Sequence, residues 1–392
     1  MADEMSAPNG KHLLTRLAQT GRSRALTGPF VNPPVIHAST VLFDDVASMK
    51  PGGQLYTYGR RGTPTSAALE AAISEIEGAA GSVLCPSGLS AISTAFLCAT
   101  GAGDHVLIAD NVYGPTRDFA NLFLKRIGVE TSFFDPAIGA GIAALMQPNT
   151  RLVYVESPGS LTFEMTDIPA VAEAAHRGGA LVAVDNTWAT PYFCRPLALG
   201  ADLSLMAATK YIGGHSDLML GTIAANEAAY GRLRETHGTL GLCVGPDDIF
   251  LGLRGLRSLG IRLEQHMRSG LAVARHLVDR PEVARVLHPA LSDHPGHALW
   301  TRDMSGASGL FGVVLDGWSE EKTASFLEAL ENFSLGYSWG GFESLAIPAH
   351  FTRSASPWQA EGPLIRLHVG LEAVEDLLAD LDAAFERVGN LA

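Results

Sequence analysis

The stretch LVAVDNTWATPYFCRPLALGADLSLMAATKYIGGHS, residues Leu181 to Ser216, decides the fold of this chain. It holds two short apolar runs, Leu181 to Val184 and Leu203 to Ala207, and each run leads into polar residues. Apolar runs of this kind, bounded by turn signals and placed between helical patterns, are typical of buried parallel strands. Because ligands of open α/β sheets bind at the carboxyl ends of the strands, we expect Asp185 and Lys210, which follow the two runs, at a ligand site.

An acidic residue and a lysine at two strand ends are the pair that a pyridoxal 5′-phosphate (PLP) enzyme requires. The lysine would bind the cofactor as a Schiff base, and the carboxylate would keep the pyridine nitrogen protonated. A strand-end Asp–Lys pair without any catalytic role has the same spacing. The spacing alone therefore leaves both interpretations open.

The residue identities in the two segments are more specific than the spacing between them. ATKYIGGHSD, which contains Lys210, and VDNTW, which contains Asp185, together resemble the Cys/Met-metabolism family of PLP enzymes. The resemblance extends from about Tyr56 to about Leu381. It implies the aspartate-aminotransferase type of fold (fold type I), an α/β protein with a mostly parallel sheet of the seven-stranded type in a large domain and a smaller α+β domain at the C-terminus.

The length of 392 residues also favours two domains rather than one core. The resemblance implies an N-terminal arm at 1–60 that contacts a neighbouring subunit, a PLP-binding large domain at 61–256 and a small domain at 257–392. Residues up to about 60 show little periodicity, and GPFVNPP (Gly28 to Pro34) excludes a regular helix there. From about 80 to 225, strand and helix patterns alternate, which predicts right-handed βαβ crossovers.

Composition narrows the possible partners. The formal net charge of −13 argues against nucleic acid or an anionic membrane as a partner. Four scattered cysteines without a CxxC pair predict reduced thiols in a cytoplasmic protein, and MADEMSAPNGK does not resemble a signal peptide. The spacing of His288, His294 and His297 fits no regular zinc pattern, so we expect no metal site.

The cofactor site follows from local patterns together with the resemblance. SVLCPSGLSAIST predicts a strand, a turn and the start of a helix, whose amides would suit a phosphate. The resemblance implies that Tyr113 stacks on the pyridine ring and assists proton transfer. It also implies a set of phosphate contacts, two of them from the neighbouring subunit: Ser87, Gly88, Leu89 and Thr209, and from the neighbour Tyr58 and Arg60.

Two segments near the C-terminus are candidates for binding substrate. Arg366 lies within the apolar stretch LIRLHV, where an unpaired charge is costly. A structural ion pair is one interpretation, and bidentate capture of a substrate carboxylate is the other. The carboxylate-binding arginine of the family aligns with Arg366, and Ser338 and Trp339 in YSWGGFES match residues that line the active site, as does Tyr58.

The resemblance implies a reaction on an amino-acid thioether. The tryptophan of YSWGGFES is typical of the members that catalyse β-elimination, because γ-type members usually read SLGG at this place. We therefore expect α,β-elimination on L-cystathionine, giving homocysteine, pyruvate and ammonia. Elimination or replacement at Cγ, on cystathionine or methionine, is the alternative. The resemblance further implies a homotetramer built of two dimers that share their active sites.

Overall fold

The structure, a computed structural model, describes residues 10–358 and 362–389. The expectations for residues 1–9, among them the start of the arm and the absence of a signal peptide, lie outside the described residues. So do those for residues 359–361 and 390–392. None of the helices in the described ranges is long and apolar enough to cross a membrane.

The alternating pattern of the first two thirds of the chain folds into a mostly parallel sheet, as predicted. In the described part of the chain this sheet has seven strands in the order β1-β7-β6-β5-β4-β2-β3. Only β7 runs against its neighbours β1 and β6. The strands are β1 (Gly81–Cys85), β2 (His105–Ala109), β3 (Glu130–Phe134), β4 (Thr150–Glu156), β5 (Leu181–Asp185), β6 (Leu203–Ala207) and β7 (Gly221–Ala225).

Helices cover both faces of this sheet because successive strand residues point to opposite sides. In β6, Leu203 and Leu205 join one apolar core, while Met206 joins the other. The helices of the described residues are α1 (Leu13–Gln19), α2 (Arg24–Thr27), α3 (Pro64–Glu77), α4 (Gly88–Ala99), α5 (Gly114–Asp118), α6 (Ile168–Arg177), α7 (Thr190–Phe193), α8 (Glu227–Thr239), α9 (Pro246–Val278), α10 (His297–Asp303), α11 (Glu320–Ala329) and α12 (Val374–Gly389).

The C-terminal third forms a second sheet, as predicted for the small α+β domain. Its strands are β8 (Val283–Leu287), β9 (Leu310–Leu315), β10 (Ser334–Leu335), β11 (Leu345–Pro348) and β12 (Leu364–His368), in the order β10-β11-β12-β9-β8. All pairs are antiparallel except β10 with β11. Its core includes Val273 of α9, Phe326 of α11 and Phe385 of α12.

The long helix α9 connects the two sheets. It runs without a break from Pro246 to Val278, and it contributes Leu253 to the core below the large sheet and Val273 to the core of the small one. The boundary that we expect near residue 256 therefore falls inside a continuous helix. The limits of the three domains stay a prediction.

The N-terminal arm has more regular structure than its composition indicates. Leu13 and Leu17 of α1 are buried, and the carbonyl oxygen of Leu17 accepts a hydrogen bond of 2.8 Å from Arg257 in α9. A seven-residue helix is marginal in isolation, so tertiary contact rather than periodicity stabilises it. GPFVNPP forms neither helix nor strand, as expected. Within and beyond it, large apolar side chains are exposed at Phe30, Val31, Leu42, Val46 and Leu55.

Candidate active site

The strand ends that lead into Asp185 and Lys210 meet at one edge of the large sheet. Asp185 is the last residue of β5, which pairs with β6. Lys210 follows β6 by three residues, and its amide donates to the carbonyl of Ala207, which closes a tight turn. Arg262 of α9 donates to the carbonyl oxygens of Tyr211 at 2.7 Å and of Gly255 at 2.8 Å, so it fastens this turn to the long helix.

The carboxylate of Asp185 is buried and hydrogen-bonded. Oδ1 accepts from the amide of Thr187 at 2.9 Å and from its hydroxyl at 2.5 Å, and Oδ2 accepts from the hydroxyl of Tyr154 at 3.4 Å. Burial raises the pKa of Asp185, and the Thr187 hydrogen bonds oppose that rise. Sequence reasoning missed both partners. The spacing of Asp185 and Thr187 is a possible signal, because Asp side chains often bond the backbone two residues on.

The amine of Lys210 is half-buried and faces a loop of the small domain. Nζ donates to Oγ of Ser338 at 2.5 Å and lies 5.4 Å from the centre of the Trp339 ring. Burial lowers the pKa of Lys210 to about 8; the charge of Arg366 acts in the same direction, and Asp185 opposes it. The structure therefore places Ser338 and Trp339 at the one lysine that the strand pattern selects.

The loop that carries these two residues, residues 336–341, is called the tryptophan loop below. Ser338 and Gly340 adopt positive φ angles of 78° and 85°. Two observations require glycine at position 340. Its φ is positive, and a Cβ there would lie 2.9 Å from the carbonyl carbon of Lys210. Trp339 packs edge-on against Tyr211 with ring centres 5.4 Å apart. The loop backbone thus rests directly on the Lys210 turn.

Arg366 reaches the same loop from β12. Its Nη2 donates to the carbonyl oxygen of Ser338 at 2.8 Å, and its side chain has no carboxylate partner among the described residues. Nε is buried without a hydrogen-bond partner. Burial lowers the pKa of Arg366 to about 10. The geometry does not match the structural ion pair considered for Arg366, and it leaves a buried donor unused.

Tyr113 stands at the start of α5 and is 46% exposed. Its amide donates to Oε2 of Glu156 at 2.7 Å, and Glu156 lies opposite Asp185 in the pairing of β4 with β5. Burial raises the pKa of Glu156 well above its usual value, and the neighbouring Asp185 adds to the effect. Glu156 thus holds the loop that carries Tyr113, a role that we did not predict.

The start of α4 lies against the same sheet edge. Oγ of Ser87 caps the helix by accepting from the amide of Ser90 at 3.1 Å. The amides of Gly88 and Leu89 precede it and, as the first of the helix, have no intrahelical acceptor. A Cβ at Gly88 would lie 2.5 Å from Cβ of Ala207. This glycine therefore lets the helix start approach the end of β6, two residues before Thr209.

Two of the expected cofactor contacts lie elsewhere in this chain. Nη1 of Arg60 donates to the carbonyl oxygen of Gly238 at 3.0 Å, next to a cavity also lined by Arg61, Arg234 and His237. Tyr58 is 47% exposed. Within the described residues, neither side chain has a hydrogen bond to Lys210, Asp185 or the start of α4. Their action on a neighbouring subunit stays a prediction.

A family comparison identifies the site. The sequence profile of the Cys/Met metabolism PLP-dependent enzymes matches residues 14–386. The chain belongs to this family. Its cofactor is therefore PLP, and its fold is that of the family.

Individual relatives cover the whole chain. The Cystathionine beta-lyase MetC of Escherichia coli is 45% identical over 96% of this chain and 99% of its own length. The Cystathionine beta-lyase of Bordetella avium is 44% identical over 98% of this chain and all of its own. A crystal structure of cystathionine gamma-lyase from Lactobacillus plantarum superposes with a TM-score of 0.89, at 32% identity, over 97% of this chain and all of that one.

The residues present fit PLP in their chemistry. A lysine of lowered pKa, a buried carboxylate and a helix start with free amides correspond to the aldehyde, pyridine nitrogen and phosphate of the cofactor. Among the described residues, Nε of Arg366 is a buried donor without a partner, and the charge of Arg366 acts on Lys210. These groups come from elements of both sheets: the ends of β5 and β6, the start of α4, and β12.

Proposed function

We propose that this protein is a cystathionine β-lyase, which cleaves L-cystathionine by α,β-elimination to homocysteine, pyruvate and ammonia. The observation that carries the proposal is the contact of Lys210 Nζ with Ser338 and with the Trp339 ring. Tryptophan at this position is typical of the β-eliminating members of the family. The names of the Escherichia coli and Bordetella avium relatives support the same activity.

Lys210 would hold PLP through Nζ and later act as the general base. PLP, when bound, withdraws electrons from the substrate Cα and so makes its proton acidic. Lys210 Nζ would take this proton and then protonate the leaving thiolate. A pKa of about 8 leaves about a tenth of the amine neutral at pH 7, whereas an ordinary lysine would be almost entirely charged. Ser338 Oγ would orient the free amine.

Asp185 and Tyr113 would control the cofactor ring. Asp185 would keep the pyridine nitrogen protonated, and its bonds to Thr187 favour the ionised carboxylate that this requires. Tyr113 would stack on the ring and assist proton transfer from the incoming substrate amine. Glu156, through the Tyr113 amide, would fix the position of that tyrosine. Ser87, Gly88, Leu89 and Thr209 would hold the phosphate.

Arg366 would bind the α-carboxylate of the substrate. One side of its guanidinium is engaged by Ser338, and the unpartnered Nε is free to donate to a carboxylate oxygen. Trp339 would narrow the space beside Lys210 and favour binding of the cysteinyl half of cystathionine there. Tyr58 would contribute to the same pocket from the neighbouring subunit.

We further propose a homotetramer of two active-site-sharing dimers, in which the arm packs on the neighbour. The exposed apolar side chains between Phe30 and Leu55 support this assembly, because such a group is costly in water. Arg60 and Tyr58 would bind the phosphate of the neighbouring subunit. Domains at 1–60, 61–256 and 257–392 and a cytoplasmic location belong to the same proposal. Homocysteine as product would place the enzyme in methionine biosynthesis.

Mixing two variants at a PLP concentration too low to load Arg60→Ala tests the shared site. Arg60→Ala should weaken PLP binding by about 10- to 100-fold, because it removes a charge-assisted contact. Mixed dimers of Arg60→Ala with Lys210→Ala should regain activity, since one site would combine the intact half of each parent. A lack of recovery in verified mixed dimers would place Arg60 outside the neighbour's site.

The keto acid produced from L-cystathionine tests the reaction itself. The γ-lyase of Lactobacillus plantarum shares the fold at a TM-score of 0.89, so the fold does not distinguish β- from γ-elimination. With saturating PLP and L-cystathionine, we expect pyruvate and homocysteine in equal amounts. 2-Oxobutyrate with cysteine as the main products would instead establish the γ-type alternative.

A further inference from the structure

His368 is a fully buried histidine that reaches the tryptophan loop from β12. It lies two residues beyond Arg366, so both side chains project from the same face of the strand. Nε2 of His368 lies 3.0 Å from the amide nitrogen of Gly340 and 3.2 Å from the carbonyl oxygen of Gly341. Arg366 holds the loop at Ser338, and His368 meets it two residues later.

The proton position on His368 follows from its surroundings. Burial keeps the pKa of His368 well below its usual value, so the ring is neutral and carries one proton. An amide only donates, and therefore Nε2 must be bare to accept from Gly340, which puts the proton on Nδ1. With the proton on Nε2 instead, the Gly340 amide would lose this acceptor. The shorter of the two contacts favours the Nδ1–H form.

A second buried histidine, His266, lies beside His368. Nδ1 of His266 lies 2.8 Å from the carbonyl oxygen of Val369, so it must carry the proton, and Nε2 is a bare acceptor. Among the residues that the structure describes, this Nε2 has no hydrogen-bond partner, and neither has Nδ1 of His368. The two ring centres are 5.3 Å apart. The two rings therefore lie side by side without a hydrogen bond between them.

We propose that His368 is a positioning residue for the elimination: as the Nδ1–H tautomer it accepts the Gly340 amide and holds the tryptophan loop against the Lys210 turn. The loop needs such an anchor because Ser338, a residue with a side chain, adopts a positive φ there. Without the anchor, Ser338 Oγ leaves Lys210 Nζ and the indole leaves its place beside Tyr211. His368 itself touches neither Lys210 nor the substrate pocket.

Two variants of equal length separate the hydrogen bond from packing. In His368→Met the new side chain fills similar space but has no good hydrogen-bond acceptor. In His368→Gln the side-chain amide oxygen can accept a hydrogen bond from the Gly340 N–H. His288→Met is the matched control. His288 is also fully buried, and it accepts a hydrogen bond of 3.2 Å from the amide of Ala290, outside the tryptophan loop. If His368→Met does not fold, His368→Asn, whose amide is one methylene too short, takes its place.

Hydrogen exchange of the tryptophan-loop amides and steady-state kinetics are measured on each holoenzyme. In His368→Met we expect exchange at least about 10-fold faster in the loop and kcat/KM for L-cystathionine about 10- to 100-fold lower. His368→Gln should recover kcat/KM to within about 3-fold of wild type. PLP affinity and the His288→Met kinetics should stay within about 2-fold of wild type.

Only the kinetic part of this proposal rests on the proposed function. If the wild-type enzyme does not release pyruvate from cystathionine, the proposed function fails, and loop exchange in the three variants alone decides the role of His368. Unchanged loop exchange in His368→Met overturns the role. So does a Gln variant as impaired as the Met variant, or an equal loss in His288→Met.

Discussion

The two sides of the candidate site are built in different ways. The Lys210 side comes from ends of adjacent parallel strands, where Asp185 and the turn after β6 are fixed by sheet register. The other side combines Arg366 of β12 with the tryptophan loop, which has two positive φ angles and is held by contacts between residues far apart in the chain, such as Lys210 with Ser338. Sheet register thus fixes the main cofactor groups, whereas contacts between distant parts of the chain fix the groups around the substrate.

This difference predicts different consequences of mutation. Changes on the Lys210 side should remove the cofactor chemistry altogether. Changes in the tryptophan loop and at Arg366 should leave PLP bound and alter how the substrate is held. The variants below test this division from the largest expected effect to the smallest.

Lys210→Ala should lose covalent PLP and reduce kcat/KM by about 10³-fold or more, because both the cofactor link and the general base are removed. Borohydride reduction followed by mass spectrometry measures the covalent link. Lys322→Ala is the control, since Lys322 also lies over a tryptophan ring, 4.6 Å from the centre of Trp318. Reducible PLP retained in the Lys210 variant would contradict the assignment.

Arg366→Lys should leave PLP affinity unchanged and lower kcat/KM by about 30- to 150-fold, because a lysine keeps the charge but loses the planar fork. Steady-state kinetics with L-cystathionine at low concentration measure the loss. Arg280→Lys, in a surface ion pair with Glu282 and Asp382, should behave as wild type. Near-normal turnover in Arg366→Lys would remove Arg366 from substrate binding.

Trp339→Leu should cost less, about 3- to 10-fold in kcat/KM, because the indole provides shape and a cation–π contact rather than a charge. Loss of the large ring should also broaden the products toward 2-oxobutyrate, which chromatography of the keto acids would detect. Trp318→Leu removes a comparable lysine contact from the small domain and should not change the product ratio. If Trp339→Leu leaves it unchanged as well, Trp339 does not set the choice of reaction.

The pH at which apoenzyme takes up PLP should report the environment of Lys210. Only the neutral amine attacks the PLP aldehyde, so the rate of PLP uptake should rise with pH through a midpoint of about 8. Arg366 lowers the pKa of Lys210, and therefore Arg366→Gln should move the midpoint upward, whereas Arg280→Gln should not. Stopped-flow absorbance gives the rates. A wild-type midpoint near that of an ordinary lysine would show that the amine is solvated.

The strand-end half of the site was accessible to sequence reasoning, and the loop half was not. The apolar runs before Asp185 and Lys210 predict two buried strands, and both strands form where expected. No periodicity places Trp339 or Arg366 near Lys210, because β12 and the tryptophan loop approach it through tertiary packing. The charge of Arg366 within an apolar stretch indicated a special role, but only the family resemblance pointed to Trp339 and placed both residues at the active site.

Other residues escaped both approaches because their roles depend on partners far away in the chain. Glu156 accepts from the Tyr113 amide 43 residues earlier, and no local pattern indicates this contact. His368 lies in an apolar strand and contacts a loop 28 residues before it. The early helix α1 likewise depends on its contact with α9, and its short sequence does not reveal that contact. Such contacts become visible only when the fold is assembled.

Isotope tracing tests the central claim, that this site cleaves cystathionine at Cβ, most directly. The wild-type holoenzyme is given L-cystathionine labelled with ¹³C in its three-carbon half, and the products are followed by NMR. The account predicts that the label appears in pyruvate while unlabelled homocysteine accumulates at the same rate. Label recovered in cysteine, together with unlabelled 2-oxobutyrate, would contradict it.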